Sequence, residues 1–178
     1  YERWCLVRII SVLIEDLKFA PKVDWQSRVI DAVRSNARST RLSFSREDLH
    51  MEAVLEIQPE LRNGRRPDFR LTFRQNDTCQ ASDIWPPMQS YSTERALVLD
   101  AKFRSRWGYD ALAATVRDLV DKKGYDEDDA RVFILHPRAF AHIPATSPLG
   151  WGTHCDYGHR NLVDHCEGAI LLSPDGAP

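Results

Sequence analysis

The chain has 178 residues, of which 43% are hydrophobic and 28% charged, with a formal net charge of -2 at pH 7. These values predict one globular domain with a sizeable core, and the small net charge gives no overall signal for nucleic-acid binding. No apolar run approaches the ~20 residues that span a bilayer, so no membrane association is expected. The first residue, Tyr1, leads directly into a helical pattern without an initiator Met, and we expect the chain to be a piece of a longer protein.

The predicted elements begin with a helix over residues 1–19, where five apolar residues recur at helical spacing. These residues are Trp4, Val7, Ile10, Ile14 and Leu17. Pro21 is predicted to end this helix. A second helix is predicted over residues 25–37, and a polar stretch rich in Arg and Ser follows it.

Three strands come next, and the last of them begins a strand–helix–strand unit. The predicted elements are strands at Met51–Ile57, 69–73 and 96–99, a helix at 110–123 capped by Asp110 and closed by Gly124, a strand at 131–135 and a short strand at 168–172. The strand–helix–strand unit predicts a parallel pair with a right-handed crossover. The expected fold is α/β, a mixed central sheet flanked by helices, in one domain over residues 1–178 with a loop-rich extension at 138–178.

Two short motifs carry most of the functional signal. Arg65-Arg66-Pro67-Asp68 precedes one predicted strand, and Leu99-Asp100-Ala101-Lys102 ends the next. Adjacent strands could bring Asp68 and Asp100 together as carboxylate ligands for Mg²⁺, with Mn²⁺ as a substitute. Residues two apart on a strand share a face, so Lys102 could reach an attacking water or a phosphate. The alternative is that Asp68 caps a turn and Asp100 and Lys102 are a solvated strand end.

Basic residues surround both motifs. We expect four of them to contact phosphates of DNA, namely Arg65, Arg66, Arg104 and Arg106. The alternative is that these are ordinary surface arginines.

The two motifs resemble those of the PD-(D/E)xK nuclease superfamily. Pro67-Asp68 is similar to its first motif, and Asp100-Ala101-Lys102, 32 residues later, is similar to its second. The resemblance covers about residues 1–137 and is strongest with nuclease domains of bacterial restriction and defence proteins. The segments that carry it are Tyr1-Glu2-Arg3-Trp4-Cys5, Arg66-Pro67-Asp68, Leu99-Asp100-Ala101-Lys102-Phe103-Arg104 and Phe133-Ile134-Leu135-His136-Pro137. It implies a restriction-endonuclease-like core in the order helix, three strands, helix, strand.

The resemblance also implies a further metal-ligating glutamate in the first helix, for which Glu2 is the candidate. Glu2 lies opposite a polar stripe of that helix, where a carboxylate is unfavourable unless it is paired or bound to a metal. The alternatives are that Glu2 lies at a frayed helix end, or that it interacts with the positive end of the helix dipole.

Two further sets of residues are candidate binding sites. Soft-metal ligand types cluster in the C-terminal region without a recognised zinc spacing, and they are His154, Cys155, His159, His165 and Cys166. The loop tryptophans Trp85, Trp107 and Trp151 could stack on bases, although packing is the more common role.

The sequence therefore predicts a metal-dependent DNA endonuclease, the effector part of a bacterial restriction or anti-phage defence protein. Asp68, Asp100 and Lys102 would be catalytic, and other domains or subunits would supply target recognition. The alternative is a catalytically inactive module that binds nucleic acid or a partner protein. Four widely spaced cysteines without a CxxC pair favour reduced thiols and a cytoplasmic location.

Overall fold

The computed structural model describes residues 1–22, 24–34, 39–75, 94–104, 108–137 and 166–172. The helices are α1 (Glu2–Ser11, continued by a wide turn at Val12–Asp16), α2 (Trp25–Arg34) and α3 (Tyr109–Arg117, continued by a wide turn at Asp118–Lys122). The strands are β1 (Ala20–Pro21), β2 (Thr40–Arg46), β3 (Met51–Ile57), β4 (Phe69–Gln75), β5 (Arg95–Ala101), β6 (Arg131–His136) and β7 (Glu167–Leu171).

The described strands form one sheet in which each strand lies beside its neighbour in sequence. Pairing is antiparallel from β1 to β5 and parallel from β5 through β6 to β7. The predicted mixed α/β sheet with flanking helices is confirmed, and so is the parallel pair formed by the strand–helix–strand unit. The finer assignment to a restriction-endonuclease-like core stays a prediction.

Alternate residues of the central strands pack into two different core clusters, one on each face of the sheet. Leu99 and Ala101 of β5 join the cluster that also contains α1 residues, while Val98 joins the cluster formed with α3. Because side chains alternate along a strand, Asp100 points to the α3 face. The end of β5 therefore has a charged residue on one face and small apolar residues on the other.

The buried face of α1 differs from the predicted one. Val7 and Leu17, two members of the apolar repeat that predicted this helix, are 61% and 39% exposed. The buried residues are Cys5, Leu6, Ile10 and Leu13. Glu2 lies three and four residues before Cys5 and Leu6, so it continues this buried face to the start of the helix.

The element boundaries correct one prediction, confirm another and add two strands. Asp110 does not cap α3, because the N-cap is Gly108 and Asp110 lies within the first turn. Gly124 does close the helix, with a φ of +59° that suits glycine and a backbone N–H bonded to Val120 O. Strands β1 and β2 were not expected, since residues 39–48 read only as a polar stretch.

The domain boundaries stay a prediction, because residues 138–165 and 173–178 lie outside the described part of the chain. Across the described ranges, no helix combines the length and apolar character needed to cross a membrane.

Candidate active site

Antiparallel pairing of β4 and β5 brings Asp68 and Asp100 to the same end of the sheet. Asp68 immediately precedes β4, and Phe69 pairs with Leu99, the residue before Asp100. Asp68 Oδ2 accepts a hydrogen bond of 2.7 Å from the backbone N–H of Ala101. The Asp68 side chain thus reaches across to the end of β5, as the sequence predicted.

The loop between β3 and β4, residues 58–68, is held at both ends by hydrogen bonds. Gln58 N–H donates to the backbone oxygen of Asp68 at 2.8 Å, in a conformation with a φ of +49°. Tyr125 Oη donates to Arg66 O at 3.2 Å, and Asn63 Nδ2 donates to Lys123 O at 2.8 Å. The segment after α3 therefore fixes the loop that delivers Asp68.

Asp100 and Lys102 form an ion pair beside Asp68. The Asp100 side chain is buried, and its Oδ2 contacts Lys102 Nζ without a hydrogen bond of good geometry. The backbone N–H of Lys102 donates to Leu135 O at 2.8 Å, which fixes the chain just after β5. The predicted placement of both side chains on one face is confirmed, while the alternative of a solvated strand end is wrong for the buried Asp100.

Burial and nearby negative charge raise the pKa of Asp68 to about 6 from an ordinary value of 3.8. Burial is the largest cause, followed by repulsion from Asp100 and, more weakly, from Glu2. The Ala101 N–H and the charge of Lys102 act in the opposite direction. Asp68 therefore lies within electrostatic reach of two other carboxylates and one ammonium group.

Two carboxylates in this arrangement fit a divalent cation. Mg²⁺ is commonly held by one or two carboxylates while it keeps several waters. A cation would relieve the repulsion between Asp68 and Asp100 and would give the Asp100 Oδ2 atom a further partner. No three His, Cys, Asp or Glu side chains converge on a common metal position within the described ranges. The predicted Mg²⁺ cofactor and the participation of Glu2 as a ligand both stay predictions.

Glu2 is exposed and borders the site on the α1 face. It lines a cavity of about 140 Å³ together with Asp68, Gln58 and residues of α2. It also lines an open groove of about 430 Å³ with Tyr1 and Phe103. Glu2 occupies the first turn of α1, a position that also fits the alternatives of a frayed helix end and of an interaction with the helix dipole.

Many of the arginines near the site are already paired with acidic residues. Arg66 contacts Glu60, Arg70 contacts Asp128 at 3.2 Å, and Arg62 contacts Asp128 at 2.9 Å. The basic character seen in the sequence around Asp68 is thus largely neutralised in the fold. Arg104 is exposed, and the backbone of Arg65 makes two hydrogen bonds, from its N–H to Asn63 Oδ1 at 2.9 Å and from the Leu61 N–H to its carbonyl oxygen at 2.9 Å. Phosphate contacts by Arg65, Arg66 and Arg104 stay predictions.

Several predicted site residues lie outside the described part of the chain. They are Arg106, Trp85, Trp107, Trp151, His154, Cys155, His159 and His165. Cys166, the described member of the possible zinc cluster, is an exposed free thiol. The zinc hypothesis therefore remains open.

Sequence reasoning missed the residues that position the site without carrying its charge. Ala101 acts through its backbone N–H, and Tyr125 acts through its hydroxyl from a segment 57 residues after Asp68. Neither leaves a motif in the sequence. Cys5 is close to Asp68, but burial raises the pKa of its thiol to about 11, so it stays protonated and is a poor nucleophile at neutral pH.

The chain is 29% identical over 171 residues to a pyrethroid hydrolase from Klebsiella sp. The match covers 92% of this chain but 25% of the pyrethroid hydrolase, so the chain spans about a quarter of the length of that relative. No protein-family model matches the chain, and no solved structure matches it.

This comparison overturns the predicted DNA endonuclease function. A relative that matches most of the chain is named a pyrethroid hydrolase and not a nuclease. The extensive pairing of arginines near Asp68 gives a physical reason why the sequence was misleading, since the local excess of basic residues is not a free basic surface. DNA was predicted as a partner because an endonuclease was predicted. Binding of DNA to the described part of the chain stays a prediction.

Proposed function

We propose that this chain carries the hydrolytic site of an ester hydrolase, with Asp68, Asp100 and Lys102 as its central residues. The observation that carries the proposal is the joining of these three side chains at one end of the sheet through the Asp68–Ala101 hydrogen bond and the Asp100–Lys102 ion pair. The similarity to a pyrethroid hydrolase supports an ester as the substrate. The resemblance to PD-(D/E)xK motifs concerns only the residues of the site, and this proposal takes no nuclease activity from it.

Ester hydrolysis needs an activated water and stabilisation of the negative charge that develops on the carbonyl oxygen. Asp68 and Asp100 would hold a divalent cation, which when bound supplies Lewis-acid polarisation of the ester carbonyl. The ammonium group of Lys102 would face the developing oxyanion, and its ion pair with Asp100 fixes its position before the substrate arrives.

Glu2 is the proposed acceptor for the proton of the attacking water. Its carboxylate is exposed, borders both cavities and acts electrostatically on Asp68. A solvent-connected carboxylate can return the proton to bulk water after each turnover. This role differs from that of the buried Asp100, which pairs with Lys102 and would also hold the cation.

The test measures hydrolysis of small carboxylic esters by the purified chain in the presence of 5 mM Mg²⁺ or Mn²⁺. This cation concentration is on the order of 100 times the Kd of a weak cation site. We expect ester cleavage that is lost in Asp100→Asn and Lys102→Met and retained in Asp16→Asn, an exposed site on the turn after α1. Equal rates in all four proteins would show that the site is misassigned. Cleavage of plasmid DNA without cleavage of any ester would contradict the proposal itself.

A further inference from the structure

We propose that Gln58 binds a neutral acceptor oxygen of the substrate, such as an ether oxygen, in the cavity beside Asp68. This inference rests on the proposed ester hydrolase and specifies its substrate as an ester with a second acceptor oxygen apart from the reacting ester group. Three features of Gln58 carry it: its pairing with Asp68, its backbone conformation and its place in the cavity wall.

Gln58 is the direct neighbour of Asp68 across the pairing of β3 and β4. The register that pairs Ile57 with Phe69 continues to these two residues, and the Gln58 N–H donates to the backbone oxygen of Asp68 at 2.8 Å. Both residues line the cavity of about 140 Å³. Gln58 is therefore placed beside a carboxylate at the centre of the proposed site.

The backbone of Gln58 is held in an unfavourable conformation. Its φ of +49° lies in the left-handed region, where a Cβ is too close to the following carbonyl oxygen. Pro59 adds to the strain, because a proline favours an extended backbone in the residue before it. Glycine would make the same backbone bond to Asp68 without strain. Backbone strain of this kind clusters at binding and catalytic sites, which points to a use for the side chain.

The other non-glycine residues with positive φ in the described ranges have ordinary explanations. Aspartate and histidine are enriched in this conformation, and they occupy four of these positions, Asp24, His50, Asp128 and Asp129. Lys18 ends the helical segment, where the Phe19 N–H closes onto Leu13 O at 2.8 Å. Gln58 instead follows a strand and borders a cavity, so neither explanation applies to it.

The chemistry of the cavity wall leaves Gln58 to bind the substrate. Asp68 and Glu2 are assigned to the cation and to the proton of water, and an ionised carboxylate cannot donate a hydrogen bond. Arg3 already donates to a backbone oxygen of α2 at 3.3 Å. Lys102 does not line this cavity, so a carbonyl next to Lys102 leaves the cavity for another part of the substrate. The neutral carboxamide of Gln58 has two N–H donors for an oxygen there.

The test compares two esters of nearly the same shape in the full 178-residue chain. Ethyl methoxyacetate carries the second acceptor oxygen, and ethyl butanoate has a methylene group in its place. Gln58→Met keeps the length of the side chain and removes the amide. KM for ethyl methoxyacetate should therefore rise about 10-fold, while KM for ethyl butanoate and both kcat values change little.

Glycine variants separate the side chain from the strained backbone. Gln58→Gly should give the same selective rise in KM and should melt close to the unchanged chain, because glycine accepts the backbone conformation. Lys18→Gly is the matched control, since Lys18 has a φ of +59° at an exposed position outside the cavity, and it should change neither KM. An equal rise of KM for both esters in Gln58→Gly, with no rise in Gln58→Met, would assign Gln58 to the turn and overturn the inference.

A measurement without turnover separates failure of this inference from failure of the proposed function. The side-chain amide NMR signals of Gln58, identified by their absence in Gln58→Met, should shift on titration with 1-methoxypentan-2-one, a ketone analogue of ethyl methoxyacetate. This shift in a chain that cleaves no ester would refute the hydrolase and support the binding site. Ester cleavage with the same KM ratio in Gln58→Met and in the unchanged chain, without a shift, would overturn the inference and leave the hydrolase standing.

Discussion

Asp68 and Ala101 are joined by a hydrogen bond from a backbone N–H to a carboxylate oxygen at 2.7 Å, across the pairing of β4 and β5. This bond fixes the position of a carboxylate whose pKa is raised by burial and by the neighbouring Asp100. The fold therefore holds together charges that repel one another, which is a common property of sites that bind a cation or stabilise a reaction.

Replacing Asp68 by Asn should stabilise the protein at neutral pH while it abolishes activity. The pKa of Asp68 is raised in the folded state, so its contribution to stability is fully present below pH 4 and is lost as pH rises through about 6. In the absence of divalent cations, Asp68→Asn should be more stable than the unchanged chain by about 2 kcal/mol at pH 7.5, and equal to it near pH 4. Urea denaturation in EDTA at the two pH values measures this difference. A constant difference at both pH values would contradict the assigned charge repulsion.

Asp68→Ala should be less stable than Asp68→Asn at every pH. Asn retains an oxygen that can accept the Ala101 N–H, whereas Ala leaves this partly buried donor without a partner. We expect a loss of about 1–3 kcal/mol between the two variants. Equal unfolding free energies for Asn and Ala would show that the hydrogen bond contributes nothing.

Divalent cations should stabilise the protein through Asp68 and Asp100. Binding to the folded state alone adds about 2.7 kcal/mol at 100 times the Kd. A titration of melting temperature with Mn²⁺ at pH 7.5 should give a rise that continues with the logarithm of the Mn²⁺ concentration above the Kd, and this rise should be absent in Asp100→Asn. A similar rise in both proteins would place the cation elsewhere.

Lys102→Met should destabilise the protein because it leaves the buried Asp100 without its cation. Removal of one partner from a buried ion pair costs about 3 kcal/mol. The cost should fall sharply when the same change is made in Asp100→Asn, because no buried charge then remains. The double-mutant cycle, measured by urea unfolding, gives the coupling directly, and additive effects would show that the pair is not coupled.

Tyr125→Phe should weaken activity more than it weakens the fold. The change removes the hydrogen bond to Arg66 O and keeps the ring in place, at a cost of about 1 kcal/mol. The residue belongs to the segment that holds the loop carrying Asp68, so kcat should fall while KM changes little. Burial raises the pKa of Tyr125 to about 12, so the hydroxyl stays protonated and this effect should be the same from pH 6 to pH 9. An unchanged kcat would separate Tyr125 from the site.

Local sequence patterns predicted those elements in which all residues favour the same secondary structure and the same degree of burial. Met51–Ile57 was predicted with its observed bounds, and the parallel pairing of β5 and β6 followed from the helix between them. Strand β2 was missed because Arg41, Ser43 and Ser45 dominate its composition, although Leu42 and Phe44 alternate with them and are buried. The alternation covers only a few residues, so the polar composition hides it in the sequence. The segment becomes a strand because the rest of the sheet buries its apolar side chains.

The sequence predicted the charged side chains of the site but not the contacts that hold them in position. Asp68, Asp100 and Lys102 are marked by their positions at strand ends, and these positions follow from sequence. The pairing of Arg62 and Arg70 with Asp128 joins segments about 60 residues apart, and no local pattern reveals it. The local excess of arginine in the sequence therefore does not show how much of this charge is paired in the fold.

The change from antiparallel to parallel pairing at β5 divides the site between two halves of the chain. Asp68 immediately precedes β4 in the antiparallel half, whereas Asp100 lies on β5, where the parallel half begins, and Lys102 follows directly after β5. Neither half contains all of the proposed catalytic groups, so the proposed activity requires that the two halves have docked. Regain of activity during refolding would therefore report this docking, whereas regain of helical or sheet signal can come earlier.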